Sequence, residues 1–538
     1  MTMKGNFSLK ISGPAGTGIM RAGETFSKAL NRLGFYTLVY PEYPSQIRGG
    51  DNNLQIVFSS EPINSPTEKI DLLLAFNSEC LKNHRGEVKK AGRTYELGEL
   101  GIKVETELVK NSATLGFLWK VFGFDLKVLE EQLREDFEEE KIFKLNQSAV
   151  RLGYSKGKEA GTGSGTWVEK WKKEKGKEII NLTGNEALVK GILAGQCGFA
   201  AIYPMTPINA VLTELSKSKV TVFRPEDEIA GILAAIGASY AGKRAMVATS
   251  GGGFSLMTEG LGMAGIAETP LVIVLGQRTG PSTGMATYSS QADLNFAVNA
   301  GQGEFPRVIL TPGDLPELYR LGAEAFNLAE EYQAPVILMT DKYLAESRFS
   351  TNEGELKEIK VLKVSSGVKN PEDYKRYQLT KSGISPRAFP GQTTFLTNSY
   401  EHDEKGFSTD EAEMRNEMME KRRGKLSGLK GGFEKYGGEG KRGTLVSWGS
   451  TKGILLDFIK ENPDYNLIHF WRPWPFPQEV TSILKKVKKI IAVEGNYSGQ
   501  MADLIELKTG LKVQKILKDD GRPFFKEELE QKILKLKC

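Results

Sequence analysis

Between residues 198 and 342 five short apolar runs recur, each closed by a turn: GFAAIYPMTP, RAMVATSGGG, TPLVIVLGQR, PRVILTPGD and APVILMTDK. Helical stretches separate them. A continuous apolar run of strand length is at home in a sheet covered on both faces, and alternation with helices points to an α/β layer built on a parallel sheet. The same alternation opens the chain, where FSLKISG, the turn GPAGTGIMRAG, the helical ETFSKALNRLG, the extended FYTLVYPEY and the buried IDLLLAF predict a parallel, doubly wound sheet. It returns near the end in GTLVSWGSTKG, YNLIHFWRPWPFP and KKIIAVEGNYSGQ.

A chain of 538 residues is too long for one core. The expected division is an α/β domain over 1–155, a Gly-, Lys- and Glu-rich linker over 156–178, and a second α/β domain over 179–350. A polar, less regular segment over 351–440 leads to a third α/β domain over 441–538. The charge balance, 72 basic against 67 acidic residues, gives a net +5, too small at this length for a nucleic-acid footprint. No apolar run reaches the roughly 18 residues of a membrane span, and MTMKGNFSLKISG enters a strand pattern with no apolar secretion segment. Cys80, Cys197 and Cys538 are far apart and odd in number, so neither a disulfide framework nor a cluster site is expected, and the reducing cytoplasm is the expected compartment.

Several stretches carry chemistry. SGPAGTG places Gly13, Gly16 and Gly18 after a strand: either a backbone nest for a phosphate or carboxylate, or a tight strand-to-helix turn. Arg48 in RGGD belongs to a turn that is structural or the rim of a ligand site. YPMTP, Tyr203 to Pro207, is a rigid turn at the carboxyl end of a strand, where open α/β sheets bind ligands. It either offers the Thr206 hydroxyl to a substrate or is simply rigid. RPEDEIAGILAAIGASYAG starts a helix with Pro225 at its first position and Glu226, Asp227 and Glu228 in the first turn. The macrodipole favours acids there, yet the helix is apolar, and a carboxylate buried at its head needs a partner or a task. Gly251, Gly252 and Gly253 look like a phosphate cradle, but no Lys-Ser or Lys-Thr follows to grip a phosphate. Arg278 closes a buried strand and either clamps a carboxylate with two hydrogen bonds or forms a salt bridge to a neighbouring loop. His84, His402 and His469 do not cluster and are given no metal or catalytic role.

In order along the chain, GNEALVKGILAGQCGFAAIYPMTP, the stretch from PEDEIAGILAAIG to ETPLVIV, QRTGPSTGMAT, EHDEKGFSTDEAEMRNEMMEKR, SWGSTKG, WPFP, VEGNYSGQ and DDGRPF resemble the alpha subunit of 2-oxoacid:acceptor (ferredoxin) oxidoreductases. The N-terminal SGPAGTGIMRAGETFSKALNRLGFYTLVYPEYPSQIRGGDNN resembles the gamma component that some members carry fused ahead of alpha. The resemblance implies a gamma-type domain, a pyrimidine-binding domain for thiamine diphosphate, and a transketolase C-terminal-like domain. It implies a separate beta subunit that brings the pyrophosphate site, magnesium and a [4Fe-4S] cluster. This chain lacks a G-D-G with a following Asn and lacks a cysteine set, so no metal is assigned to it. Coenzyme A is the implied co-substrate and ferredoxin the electron acceptor through beta, in a dimer of alpha–beta heterodimers with no nucleic acid or membrane.

By the same resemblance Glu228 is the catalytic acid on the aminopyrimidine, Thr206, Pro207 and Arg278 bind substrate, and Tyr203 with Gly251, Gly252 and Gly253 faces the cofactor or the partner. Gly13, Gly16, Gly18 and Arg48 form the gamma-domain loop, and Glu494, Asn496 and Gln500 support an interface. Ile208 and Asn209 stand where many relatives carry small hydroxyl residues, and Ala286 in GMAT, followed by TYSSQADL, replaces the usual proline. These departures leave 2-oxoglutarate, pyruvate, branched-chain and aryl oxoacids all open. A subunit of another thiamine-diphosphate enzyme, or a non-catalytic structural relative, are the alternatives.

Overall fold

The structure, a computed structural model, describes residues 6–45, 50–104, 106, 109–159, 178–363, 367–368 and 370–536. Arg48 and most of the expected linker, 160–177, lie outside these residues. The chain forms two compact units.

The first comprises Met1–Thr183, Glu346–Glu355 and Phe524–Lys537. Its seven-stranded sheet has the order Val88–Glu96, Ile70–Ala75, Phe7–Pro14, Asp51–Ser59, Tyr36–Glu42, Arg348–Asn352, Ile179–Thr183. The expectation of a parallel sheet here is corrected. Phe7–Pro14 and Val88–Glu96 run parallel to Ile70–Ala75, and the other four pairings are antiparallel. The cause is connection length. A parallel crossover needs a dozen residues or more, and too few separate Glu42 from Asp51, so the chain folds straight back with Tyr36 opposite Ser59. Phe7, Leu9 and Ile11 on the sheet meet Phe26, Leu30, Trp119 and Phe122 on the helices in one apolar core. Helix Glu140–Glu159 runs on into the first residues of the expected linker.

The second unit comprises Gly184–Ala345 and Leu356–Pro523. All five apolar runs become strands of one parallel sheet in the order Val308–Leu310, Pro335–Asp341, Leu271–Gln277, Ala245–Ser250, Phe199–Ile202, Thr221–Phe223. A second sheet orders Phe433–Tyr436, Tyr465–Phe470, Gly443–Trp448, Ile490–Glu494 and Gln514–Leu517, parallel except for its antiparallel first strand. One core runs through both sheets, from Val247, Ile273 and Ile337 to Val446, Trp448 and Ile468.

The part of the polar stretch 351–440 that follows Glu355 belongs to this unit and is anchored on it by charge. Helix Ala412–Gly424 and the turn after it bring Lys421 and Lys425 each to 2.6 Å from the carboxylate of buried Glu268. Arg376 donates to the backbone carbonyl of the same residue at 2.7 Å. Burial works to raise the Glu268 carboxyl, but Lys425, Lys421 and Arg376 outweigh it and bring it down to about 2. No helix among the described residues is long and apolar enough to cross a membrane.

Candidate functional site

Three neighbouring parallel strands of the second unit end at Ile202, Ser250 and Gln277, so Tyr203, Gly251 and Arg278 each begin a connection on the same edge of the sheet. Ligands of open α/β sheets bind outside these carboxyl ends.

Glu228 comes to this edge on helix Glu228–Tyr240. Pro225 lies ahead of the helix, which corrects its expected place at the first helical position. Asp227 is the N-cap instead, because its carboxylate accepts from Ala230 N at 2.8 Å and satisfies one of the donors a helix start leaves open. Ile232, Ala235 and Ile236 bury one side of the helix and draw its first residue inward. Glu228 is 4% exposed, and its Oε1 has no hydrogen-bond partner among the described residues. A buried carboxylate oxygen left alone costs free energy, so the fold holds this group at a disadvantage.

Opposite it lie the three glycines, which open helix Gly251–Leu256. Each does something different. A Cβ at position 253 would overlap Thr249 Oγ1 and stand 2.5 Å from Glu228 Oε1, so Gly253 makes room for the carboxylate. At 251 a Cβ would stand 2.8 Å from Asp293 Oδ2. At 252 it would meet nothing within 4 Å, so Gly252 turns its bare face to open space. The glycines therefore bring backbone close to two carboxylates and leave one exposed face.

The YPMTP turn joins the same cluster. Thr249 and Ser250 hydroxyls point at Met205 Sδ, Asn185 Nδ2 donates to Pro207 O at 2.9 Å, and the Thr206–Pro207 peptide is cis. Tyr203 and Thr206 are half-buried. Arg278 Nη1 donates to Thr206 O at 3.2 Å and finds no carboxylate among the described residues, so the salt bridge to a neighbouring loop is not formed. Burial pulls its guanidinium below the usual range.

Nothing in the sequence sets Asp293 apart. Its backbone N–H donates to Gln277 Oε1 at 3.1 Å, beside Arg278, while its carboxylate faces Gly251. In QADL it reads as one more acid at a helix start, and only the packing against Gly251 sets it apart. The second sheet grips this loop. Gln291 N donates to Gly495 O at 2.7 Å, Asn496 Nδ2 to Gln291 O at 3.0 Å, and Gln500 Nε2 to Ala292 O at 2.7 Å. Glu494 is buried too, but Trp448 Nε1, Asn496 Nδ2, Met501 N and Ala502 N all donate to it within 3.0 Å, and it orders the turn that does the gripping.

Gly13, Gly16 and Gly18 belong to the first unit. Gly16 and Gly18 have φ of 86° and 77°, which glycine adopts without strain, and Gly18 caps helix Ile19–Arg32. Thr17 N and Oγ1 both donate to Pro14 O, so the turn's own bonds account for its shape.

Residues 190–421 match the family described as "Pyruvate flavodoxin/ferredoxin oxidoreductase, thiamine diP-bdg", and residues 8–156 that described as "Pyruvate ferredoxin/flavodoxin oxidoreductase". The chain is 34% identical to a 2-oxoacid:ferredoxin oxidoreductase subunit alpha of Sulfolobus sp, covering 98% of this chain and 96% of the relative. It is 27% identical to a 2-oxoglutarate oxidoreductase subunit of Mycobacterium tuberculosis, over 97% and 90%. A solved 2-oxoglutarate:ferredoxin oxidoreductase from Magnetococcus marinus, with 2-oxoglutarate, coenzyme A and succinyl-CoA bound, superposes with a TM-score of 0.91 at 29% identity over 99% of both chains.

Proposed function

Because the chain belongs to the alpha subunits of the 2-oxoacid:ferredoxin oxidoreductase family, we propose that the cluster at the sheet edge is its thiamine-diphosphate and 2-oxoacid site. The observation that carries this is the unpartnered, buried Oε1 of Glu228 beside the three glycines. The residues suit the coenzyme's aminopyrimidine. A carboxyl that shares a proton with a ring nitrogen is no longer a lone buried charge, and Gly252 leaves an open face on which a flat ring can lie.

Thiamine diphosphate, when bound, supplies the carbon nucleophile for the keto group and the sink for the electrons left when carbon dioxide departs. Glu228 holds a proton at Oε1 for the pyrimidine nitrogen and takes it back. Arg278, with guanidinium donors free of any acid, clamps the substrate carboxylate until it leaves. Thr206 orients the carboxylate or the keto oxygen, and Pro207 and Tyr203 hold the turn that carries it. Coenzyme A then takes up the acyl group. A separate beta subunit would bring magnesium and the [4Fe-4S] cluster, which would supply the one-electron chemistry, with ferredoxin as the acceptor. We place beta against Ile229, Leu233 and Leu256, apolar side chains that are 44%, 50% and 50% exposed around Glu228, because an apolar patch at an incomplete site is suited to a partner. A dimer of alpha–beta heterodimers in the cytoplasm completes this reading.

The test uses the complex of this chain with its beta subunit, a panel of 2-oxoacids, coenzyme A and ferredoxin. Acyl-CoA should form in step with ferredoxin reduction. Glu228→Gln should lower turnover about 100- to 10,000-fold and slow exchange of the coenzyme's C2 proton with deuterated water, as expected on losing a general acid–base group. Wild-type exchange in that variant would sink the assignment. Tight coenzyme binding by the isolated chain would favour a different thiamine-diphosphate enzyme with an undivided site.

A further inference from the structure

We propose that Asp293 is a second catalytic residue of this site, a carboxyl that takes a proton from the molecule bound over the three-glycine turn and passes it to solvent. The inference rests on the oxidoreductase reading and goes beyond it, because it adds a proton-transfer group that Glu228, committed to the coenzyme ring, does not supply.

Four observations carry it. Asp293 and Glu228 stand against Gly251 and Gly253, two residues apart on one turn, with the open face of Gly252 between them. The Asp293 carboxylate has no hydrogen-bond or ion-pair partner among the described residues, although its own N–H is fixed by Gln277. It precedes helix Leu294–Asn299 as the N-cap residue but makes no side-chain cap, so capping does not explain it. And its loop is clamped by Gln291, Asn496 and Gln500, with Asn295 N donating to Gln500 Oε1 at 2.9 Å, which fixes the backbone around a side chain left without partners.

The electrostatics agree. Burial alone raises the Asp293 carboxyl to about 6, and no neighbouring charge contributes. The groups packed on it, the Gly251 backbone, the Gln277 amide and helix Leu294–Asn299, carry no charge. A carboxyl poised between its two states near neutral pH is suited to proton transfer. Its burial is incomplete, which gives the proton a way out. The O–H bond forms on Asp293 as the S–H bond of the coenzyme A thiol breaks, the electron pair stays on sulfur for its bond to the acyl carbon, and the proton then leaves Asp293 for water.

The experiment compares Asp293→Asn and Asp293→Glu in the assembled complex and in the isolated chain. In the complex, Asp293→Asn should lower kcat by about 100-fold or more, leave coenzyme affinity within about threefold, and remove the limb of the kcat–pH profile near pH 6. Asp293→Glu should restore part of the rate and bring the limb back at a shifted pH. In the isolated chain, infrared titration should show a carboxyl band lost near pH 6 that Asp293→Asn lacks. A raised carboxyl stabilises the fold only at low pH, and that contribution is lost as pH rises through about 6. Asp293→Asn should therefore raise Tm at neutral pH and leave it unchanged near pH 3. A lower Tm at neutral pH, or turnover within about threefold of wild type with an unaltered profile, overturns the proposal. An inactive wild-type complex overturns the oxidoreductase reading instead, so the two fail separately.

Discussion

Each unit of this chain turns from a strand into a helix through glycines, and each has buried or half-buried carboxylates beside that turn, yet the two settle their charges in opposite ways. In the first unit Asp51 lies against the end of strand Phe7–Pro14. It accepts from Ser12 Oγ at 2.5 Å, from His84 Nε2 at 2.9 Å and from Asn83 Nδ2 at 3.1 Å. His84 Nδ1 meets Glu87 at 2.6 Å, and Glu87 meets Lys10 at 2.5 Å. In the second unit Glu228 Oε1 and the Asp293 carboxylate have no partner among the described residues. The consequences for protonation diverge. Burial works to raise Asp51, but His84, Ser12 and Asn83 outweigh it and bring the carboxyl down to about 2, while burial alone raises Asp293 to about 6. A carboxylate whose partners lie within the fold adds stability. One left without them costs stability, and that is the mark of a group kept for something that binds.

The contrast breaks most sharply at Gly253. Gly253→Ala puts a methyl into Thr249 Oγ1, on a short side chain, 2.5 Å from Glu228 Oε1 and 2.8 Å from Glu228 Cγ, so swinging the end of the carboxylate aside does not relieve the clash. The carboxylate must move, and turnover should fall at least about 100-fold, the scale of a lost general acid–base group. C2-proton exchange on the bound coenzyme should fall with it. Turnover near wild type would mean that Glu228 does not act from this position. The paired network should fail differently, in stability. Asp51 has a folded-state pKa below its unfolded one, so its contribution is present above pH 4 and lost as pH falls toward 2. Asp51→Asn should cost about 1–2 kcal/mol at neutral pH by chemical denaturation and flatten the acid limb of the stability curve. An unchanged acid limb would show that the Asp51 bonds are not formed in solution.

How much of this could be read from residues alone follows the same division. The parallel sheet of the second unit was legible because strands buried on both faces leave continuous apolar runs, and every one of the five became a strand of it. Strand direction in the first unit was not, because alternation carries no sign of direction and two of its strands, Ile179–Thr183 and Arg348–Asn352, arrive from far along the chain. Glu228 was legible as an acid heading an apolar helix, although the capping role of Asp227 displaced Pro225 from its expected place. Arg278 had two readings, and only the three-dimensional neighbourhood removed the salt bridge. Asp293 gave no signal at all. Its isolation is a property of what packs around it, and a sequence does not print the absence of a partner.

Arg278 supplies the next smaller effect. Its donors are free of acids, so Arg278→Lys should retain charge while losing the two-point grip on a carboxylate, a loss of roughly tenfold in kcat/KM spread evenly over 2-oxoacids that differ only in side chain. A change in side-chain preference would move Arg278 to the distal end of the substrate and point to a dicarboxylate.

The smallest effect is the most discriminating, because it separates a glycine needed by the fold from one needed by a ligand. Gly252 has an ordinary helical backbone at the start of Gly251–Leu256 and open space where a Cβ would stand. If the fold alone decides, Gly252→Ala is an improvement, since alanine loses less chain entropy in a helix, and the isolated chain should gain about 0.5–1 kcal/mol. If the coenzyme ring lies on that open face, the same methyl intrudes on it. Coenzyme affinity in the complex should then fall by about tenfold, the scale of an overpacked contact of some 1–3 kcal/mol. The prediction is thus a pair of opposite signs in one variant, read by thermal denaturation of the chain and by coenzyme titration of the complex. A gain in both would move the ring away from Gly252 and leave Gly251 and Gly253, the two glycines that touch carboxylates, as the only ones the site requires.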